Sequence, residues 1–395
     1  MRTGPLVLAC AWALGPTAGA TAQQPHVSAY ALNVLTYVDD SPLATAGFSD
    51  FQRLRVMGDW ASGRASVELA YEHSWLVRER GAAGAGLFTR GGATSGEWLG
   101  LGWTIEESER LEWDHRFDRL AARLEVGGEA ELVVGRQSLS WATTLVLTPA
   151  DPFAPFDPSD PFREYSRGID AARLRLYPGP FSEVDIVVRP ADFAGGSTMT
   201  ALVRGRTAVG SWDLQAWGGL LHDAAAGALS VSGSVGRWAV RAEASGREKD
   251  GGGATIRGVL GVDRLFTLAR RDLYVIAEYQ RDGFGAGSEE ELQAVVGSTP
   301  FQRGELQLLG RDEAVLQASY QLHPLVSVEI LTLANLVDGS VLTAPAVSVS
   351  ATQALTLRGG AFFGTGAGFD ARLLDFGSEF GAVPSIGYVS ATLFF

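Results

Sequence analysis

Arginines recur two residues apart along this chain, a spacing that puts both side chains on one face of a β-strand. The pairs that could act together are Arg53 with Arg55, Arg173 with Arg175, and Arg204 with Arg206. A row of guanidinium groups along a water-filled channel produces a field that favours anions. The alternative is that the arginines pair with carboxylates on neighbouring strands and fill a solvated interior. The sequence leaves both interpretations open, because acidic residues alternate through the same segments.

A segment rich in proline, aspartate and aromatic residues occupies positions 139–167. Proline fixes φ and lacks a backbone donor, so this segment cannot join a strand ladder. Aspartate beside proline is typical of rigid turns. Its aromatic rings are Phe153, Phe156, Phe162 and Tyr165. So many rings predict a packed loop that folds onto the mouth or into the lumen of a channel, where it is a candidate constriction with Arg163 and Arg167 beside the gap. A rigid cap with no selective role is the alternative.

Signals of enzyme chemistry are weak. The chain contains no G-x-S-x-G, H-E-x-x-H or P-loop motif. His115 beside Asp114 leaves a membrane hydrolase as an alternative, although no serine motif accompanies it. A calcium site formed by Asp151, Asp157 and Asp160 would match no known ligand spacing, so turn chemistry is favoured. We therefore expect no catalytic residue, no cofactor and no metal.

Hydrophobicity alternates with a period of two through most of the chain, which predicts β-strands. Eighteen strands of about 9–12 residues can be placed between residues 27 and 395. Tight turns alternate with longer connections, notably 76–112, 139–167, 281–312 and 364–385. This arrangement predicts an all-β fold, a single-chain transmembrane antiparallel β-barrel with short periplasmic turns and long extracellular loops.

The chain ends in an alternating segment that stops on Phe395. Counting back from that ring, every second residue through Gly387 is apolar or small. A last strand with one lipid-facing side is what closes a membrane barrel. We interpret Phe395 as an assembly signal, which predicts the barrel-assembly machinery and periplasmic chaperones as partners.

The first segment has the features of a secretory signal peptide, with Arg2, an apolar run and a cleavage site near Ala22. We therefore divide the chain into a signal peptide, 1–22, and an outer-membrane barrel, 23–395. The predicted location is the Gram-negative cell outer membrane, in contact with its lipid. Cys10 would leave with the signal peptide. The net charge of −13 argues against a nucleic-acid partner.

The segment 135–173 contains the motifs G-R-Q-x-x-x-W, T-P-x-D-x-F-x-P-F-D-P and R-E-Y-x-R-G-x-D-x-x-R. In these motifs the segment resembles the outer-membrane barrels of the alginate-export-like class. The resemblance implies a monomeric eighteen-stranded, porin-like barrel that passes a solute or polysaccharide through a lumen with arginines. The many acidic residues predicted to face the lumen depart from a strongly cationic polyanion channel.

The sequence thus predicts an outer-membrane channel for hydrophilic solutes, with anions as one candidate class, or for a polysaccharide. The alternative is a closed barrel that serves as a structural or adhesive surface protein or, less favoured, as a hydrolase.

Overall fold

The computed structural model describes residues 26–42, 45–79, 96–153, 155, 157–162, 165–249, 252–370 and 377–395. The predicted signal peptide and Arg163 lie outside the described residues.

Nineteen β-strands form within the described ranges. They are β1 His26–Val38, β2 Gly47–Ser62, β3 Ala65–Arg78, β4 Gly102–Glu107, β5 Leu111–Val126, β6 Ala130–Gln137, β7 Ile169–Gly179, β8 Ser182–Phe193, β9 Gly196–Val209, β10 Trp212–Leu221, β11 Ala224–Val235, β12 Trp238–Glu248, β13 Ala254–Leu268, β14 Arg271–Asp282, β15 Asp312–His323, β16 Val326–Asn335, β17 Val341–Ser350, β18 Leu355–Thr365 and β19 Ile386–Phe394. The connection between β14 and β15 also contains two short helices, α1 Leu292–Val296 and α2 Thr299–Gln302.

Eighteen of these strands form one closed antiparallel ring, which confirms the predicted barrel. The ring closes where β1 pairs with β19, with Tyr30 opposite Phe394 and Val38 opposite Ile386. The remaining strand, β4, forms a hairpin with the part of β5 nearest the long loops. Closure leaves no free edge in the ring, so its backbone groups are paired within the wall.

Tight turns join the strands at one end of the barrel. Three of them contain Gly63, Gly210 and Gly236 with φ near +60°. Glycine adopts this left-handed conformation without a steric penalty, so these positions favour a two-residue hairpin.

The predicted strict alternation of short and long connections is wrong at two places. The connections 194–195 and 222–223, at the opposite end of the barrel, are also only two residues long. The strands here extend beyond their predicted ends, because polar residues continue the ladder. On β8 and β9, for example, Asp192 pairs opposite Ser197, whose hydroxyl donates to the Asp192 carboxylate.

The two faces of the wall differ in chemistry, as the period of two predicts. On β19, Val389 and Leu393 face outwards, whereas Tyr388 and Ser390 are buried on the lumen side. The outer face also carries polar residues that the alternation pattern did not single out. One such group joins β1 to β2, where Asn33 donates to Asp50 at 2.5 Å.

Much of the lumen is filled rather than open. An apolar cluster combines inward side chains of β1–β3 and β13–β19 with residues of three connections, including Leu147, Leu308 and Phe380. The connection between β6 and β7 therefore belongs to the barrel's interior core. Among the described residues, no helix is long and apolar enough to cross a membrane.

Candidate functional site

The described part of the connection between β6 and β7 folds into the lumen, and we call this connection, residues 138–168, the inward loop. Its side chains Leu139, Trp141, Leu147 and Phe162 are each at most 5% exposed. Of the four rings on which the packed-loop prediction rested, Phe153 and Phe162 are buried, Tyr165 is 40% exposed, and Phe156 lies outside the described residues.

Six consecutive backbone amides of the inward loop, residues 143–148, donate hydrogen bonds to side chains of β12, β14 and the connection between β14 and β15. We call these residues the docking segment. Glu243 on β12 accepts from Thr143 at 3.0 Å and Thr144 at 3.4 Å. The other carboxylate oxygen of Glu243 accepts from the amide of Ala150, just beyond the segment, at 3.1 Å.

The remaining amides of the docking segment bind Glu278 and Gln307. Glu278 on β14 accepts from Leu145 and Leu147, each at 2.7 Å, and from Val146 between them. The Gln307 side chain accepts from the amide of Thr148 and donates to the carbonyl of Val146. Because these amides have side-chain partners, the segment satisfies its backbone without forming a strand.

Trp141 fixes the same half of the loop against β9 and β10. Its ring is 1% exposed and lies edge-on to Phe153, with ring centroids 4.8 Å apart. The carbonyl of Trp141 accepts from Gln215 at 2.7 Å, and Trp217 donates from its indole to the carbonyl of Ala150 at 3.0 Å. A cavity of about 30 Å³, large enough to hold water, remains between this part of the loop and the wall.

The aspartates of the loop shape its turns. Asp151, Asp157 and Asp160 each accept a hydrogen bond from the amide two residues later. This is the side-chain turn that aspartate forms readily. Within the described ranges, no group of three His, Cys, Asp or Glu side chains is arranged to hold a metal ion.

The second half of the loop contacts the far side of the barrel. Phe162 packs edge-on against Tyr388 of β19, with ring centroids 4.9 Å apart. The guanidinium of Arg55 on β2 lies 4.7 Å from the ring of Tyr165. Counted around the eighteen-stranded ring, β2 lies nine strands from β12. The inward loop therefore contacts diametrically opposite walls, so it crosses the lumen.

A β-bulge on β5 holds the return end of the inward loop. Arg119 pairs with Ala70 and Phe117 with Tyr71, which leaves Asp118 as the extra residue. The bulge buries both Asp118 and Arg119, and Asp118 accepts from the amide of Gly168 at 3.0 Å. Arg119 donates to the carbonyl of Ser166.

Three of the predicted lumen arginines meet around one buried carboxylate, Asp185 on β8. Arg173 binds it through two nitrogens at 2.9 and 2.7 Å. Arg204 forms ion pairs with Asp185 and Glu183, and Arg175 lies 3.7 Å from Asp185. The structure thus brings these arginines together, but their charges are largely compensated by carboxylates.

The other predicted arginines lie in different settings. Arg55 pairs with Glu72 and Asp118. Arg206, which is about half exposed, lies 3.2 Å from Asp213. No carboxylate of the described residues lies within ion-pair distance of Arg53, whose guanidinium is 5.1 Å from the Phe51 ring.

Arg167 lies at the return end of the inward loop, 3.5 Å from Glu97. Burial, together with the neighbouring charge of Arg116, lowers the pKa of Arg167 to about 10. Arg167 therefore remains charged at neutral pH.

The histidine considered for a hydrolase lies away from the lumen. His115 is on the outer face of β5, where its Nδ1 is 3.1 Å from the hydroxyl of Tyr71. Its ring also packs against Trp103 and His73. Its described hydrogen bond is to this tyrosine and not to a serine, so the surroundings are those of an outer-surface aromatic group.

The side chains that position the loop were not singled out from the sequence. In the sequence pattern, Glu243 and Glu278 are only two of many carboxylates on inward-facing positions. Gln307 lies in a connection between strands, where the alternation pattern assigns no face. Their partners are backbone amides more than ninety positions away, and backbone amides have no sequence signature.

The comparisons with known proteins now bear on the fold. No family model and no curated protein matches the chain. Solved porin structures do match it over nearly their whole length. A BenF-like porin from Pseudomonas fluorescens Pf-5 is 11% identical, with a TM-score of 0.56, covering 94% of this chain and 98% of the porin.

Two Pseudomonas aeruginosa structures give the same result. OccK5 (OpdH) is 10% identical with a TM-score of 0.55, covering 94% of this chain and 98% of its own. OpdK, solved with vanillate, is 14% identical with a TM-score of 0.50, covering 93% and 98%. The chain has a porin-type fold. The more specific resemblance to the alginate-export-like class receives no support, since the similar structures are porins of the BenF-like and OccK kinds.

Proposed function

We propose that this protein is an outer-membrane channel for small hydrophilic solutes, in which the inward loop forms the constriction. The observation that carries the proposal is the contact of one loop with β12 through Glu243 and with β2 through Arg55, nine strands apart, because a solute following the barrel axis must pass beside the loop. The porin-type fold supports outer-membrane location and a transport role rather than enzymatic activity.

A small solute suits this geometry better than a polysaccharide, since the loop and the apolar cluster occupy much of the cross-section. Small organic anions are the favoured class. Arg53 faces the lumen and no described carboxylate lies within ion-pair distance of it, and Arg206 is half exposed. The vanillate in the OpdK structure is a molecule of this class.

Conductance of the purified protein in a planar lipid bilayer tests the proposal. We expect discrete channels, and deletion of residues 149–162 should raise the single-channel conductance while the barrel stays folded. Absence of channels would instead favour a closed structural or adhesive barrel.

The predicted arginines at the gap are tested in the same system. Replacing Arg163 and Arg167 by glutamine should reduce anion preference at low salt, where screening is weakest. The difference should shrink at 1 M salt, where the screening length is about 3 Å. Unchanged conductance after the deletion, together with unchanged selectivity after the substitutions, would show that the loop is only a cap.

A further inference from the structure

Glu243 and Glu278 are compensated differently from most other buried carboxylates of the wall. Asp185, Asp263 and Asp282 each form an ion pair with an arginine. Glu243 and Glu278 are 3% and 4% exposed, yet no arginine or lysine of the described chain lies within ion-pair distance of either. Their hydrogen-bond partners are the amides of the docking segment and Ala150.

We propose that Glu243 and Glu278 are positioning residues for the inward loop, and that the docked loop withdraws their two negative charges from the pore. This inference rests on the proposed function and adds a determinant of ion preference to it. The loop then has two coupled effects, since it narrows the lumen and hides two carboxylates that would otherwise attract cations.

The chemistry of the contacts supports both effects. An ionised carboxylate only accepts hydrogen bonds, and each of these carboxylates receives at least three from N–H groups. Hydrogen bonds to a charged acceptor are roughly twice as strong as those between neutral groups. Glutamine could not replace glutamate here, because its NH₂ group would face N–H donors.

Undocking would reverse the compensation. With the segment removed, the two carboxylates would face water in the lumen, and acidic side chains lining a pore favour cations. Undocking should therefore widen the channel and shift its preference towards cations together. A loop that acts only as an obstacle would change the conductance alone.

The test replaces residues 143–148 with a Gly-Ser-Gly linker and measures reversal potentials across a KCl gradient. We expect a higher conductance and a severalfold rise in the cation-to-anion permeability ratio. Adding Glu243→Gln and Glu278→Gln to the linker variant should keep the higher conductance and abolish the rise. An unchanged permeability ratio in the linker variant would overturn the proposal.

Glu329→Gln in the linker variant is the matched control. Glu329 is a carboxylate on β16 that pairs with Arg358 at 2.8 Å and has no described contact with the loop. The shift towards cations should survive this substitution. If Glu329→Gln removes the shift as well, general lumen charge is responsible, and the proposed role of Glu243 and Glu278 is wrong.

Hydrogen exchange separates this inference from the channel function. In the full chain, Glu243→Gln with Glu278→Gln should accelerate exchange of the 143–148 amides by about tenfold or more. Heat-modifiable migration on gels verifies that the barrel remains folded, and the single Glu278→Gln variant serves if the double variant does not fold. Slow exchange that persists in a folded variant would refute the positioning role, whether or not the protein conducts.

Discussion

The guanidinium of Arg204 lies 5.2 Å from the ring of Trp141. This contact connects the arginine group on β7–β9 to the inward loop, because Arg204 also pairs with Asp185 and Glu183. The stacked ring covers one face of the guanidinium, so the position of the loop and the exposure of the arginine group depend on each other.

Trp141→Ala should loosen the docked half of the loop. Replacing a buried tryptophan with alanine typically costs about 3–5 kcal/mol, and here the loss would fall on the contact between loop and wall. We expect larger and noisier single-channel currents. Trp238→Ala is the matched control, since Trp238 packs edge-on against Phe266 at the outer face. Equal changes in current from both substitutions would contradict the role of Trp141.

Gly168→Ala should displace the return end of the inward loop. A Cβ at position 168 would lie 2.0 Å from the carbonyl oxygen of Asp118, which is backbone and cannot move aside. Overpacking of this kind costs about 1–3 kcal/mol.

We expect a lower unfolding midpoint for Gly168→Ala in urea. Gly179→Ala provides the control, because a Cβ there has no neighbour within 4 Å. A midpoint unchanged for both would show that the loop end is not held as described.

The two faces of β7 and β9 should respond differently to a change of charge. Leu174 lies on the outer face between Leu132 and Ile186, so Leu174→Arg should reduce the free energy of unfolding by about 2–4 kcal/mol near the membrane midplane. Arg206→Leu, on the lumen face, should mainly change conductance.

Arg206 is a better lumen control than Arg173 for this comparison. Arg173 is buried and forms a bidentate ion pair with Asp185. Its removal would leave the buried negative charge of Asp185 only partly compensated. Similar stability losses for Leu174→Arg and Arg206→Leu in refolding assays would contradict the assignment of the faces.

Removal of Phe395, or its replacement with aspartate, should block membrane assembly. Phe395 exchanges two backbone hydrogen bonds with Ala29, at 3.3 and 2.8 Å, where the barrel closes, and its ring is 68% exposed on the outside. Such exposure is what the predicted recognition of Phe395 by an assembly machinery requires. The measurement is the amount of heat-modifiable protein in outer membranes, with Phe394→Leu as a control. A normal amount of folded protein in outer membranes without Phe395 would contradict the interpretation of this residue as an assembly signal.

The sequence by itself determined the barrel, because eighteen alternating segments joined by tight turns predict antiparallel strands with one apolar face, and the last strand carries the same pattern to the end of the chain. The outward position of Leu393 and the inward position of Arg173 follow from that alternation alone. The packed nature of residues 139–167 was also predictable, since proline excludes the segment from the ladder and its rings require burial.

Only the tertiary structure decided which groups meet across the lumen. Ring closure places Glu278 on β14 against the amides of Leu145 and Leu147, and Arg55 on β2 against Tyr165. These contacts span long sequence separations and involve backbone donors that every residue type possesses. The sequence pattern specifies the face on which a side chain lies, whereas the closed ring and the path of the loop select its partner.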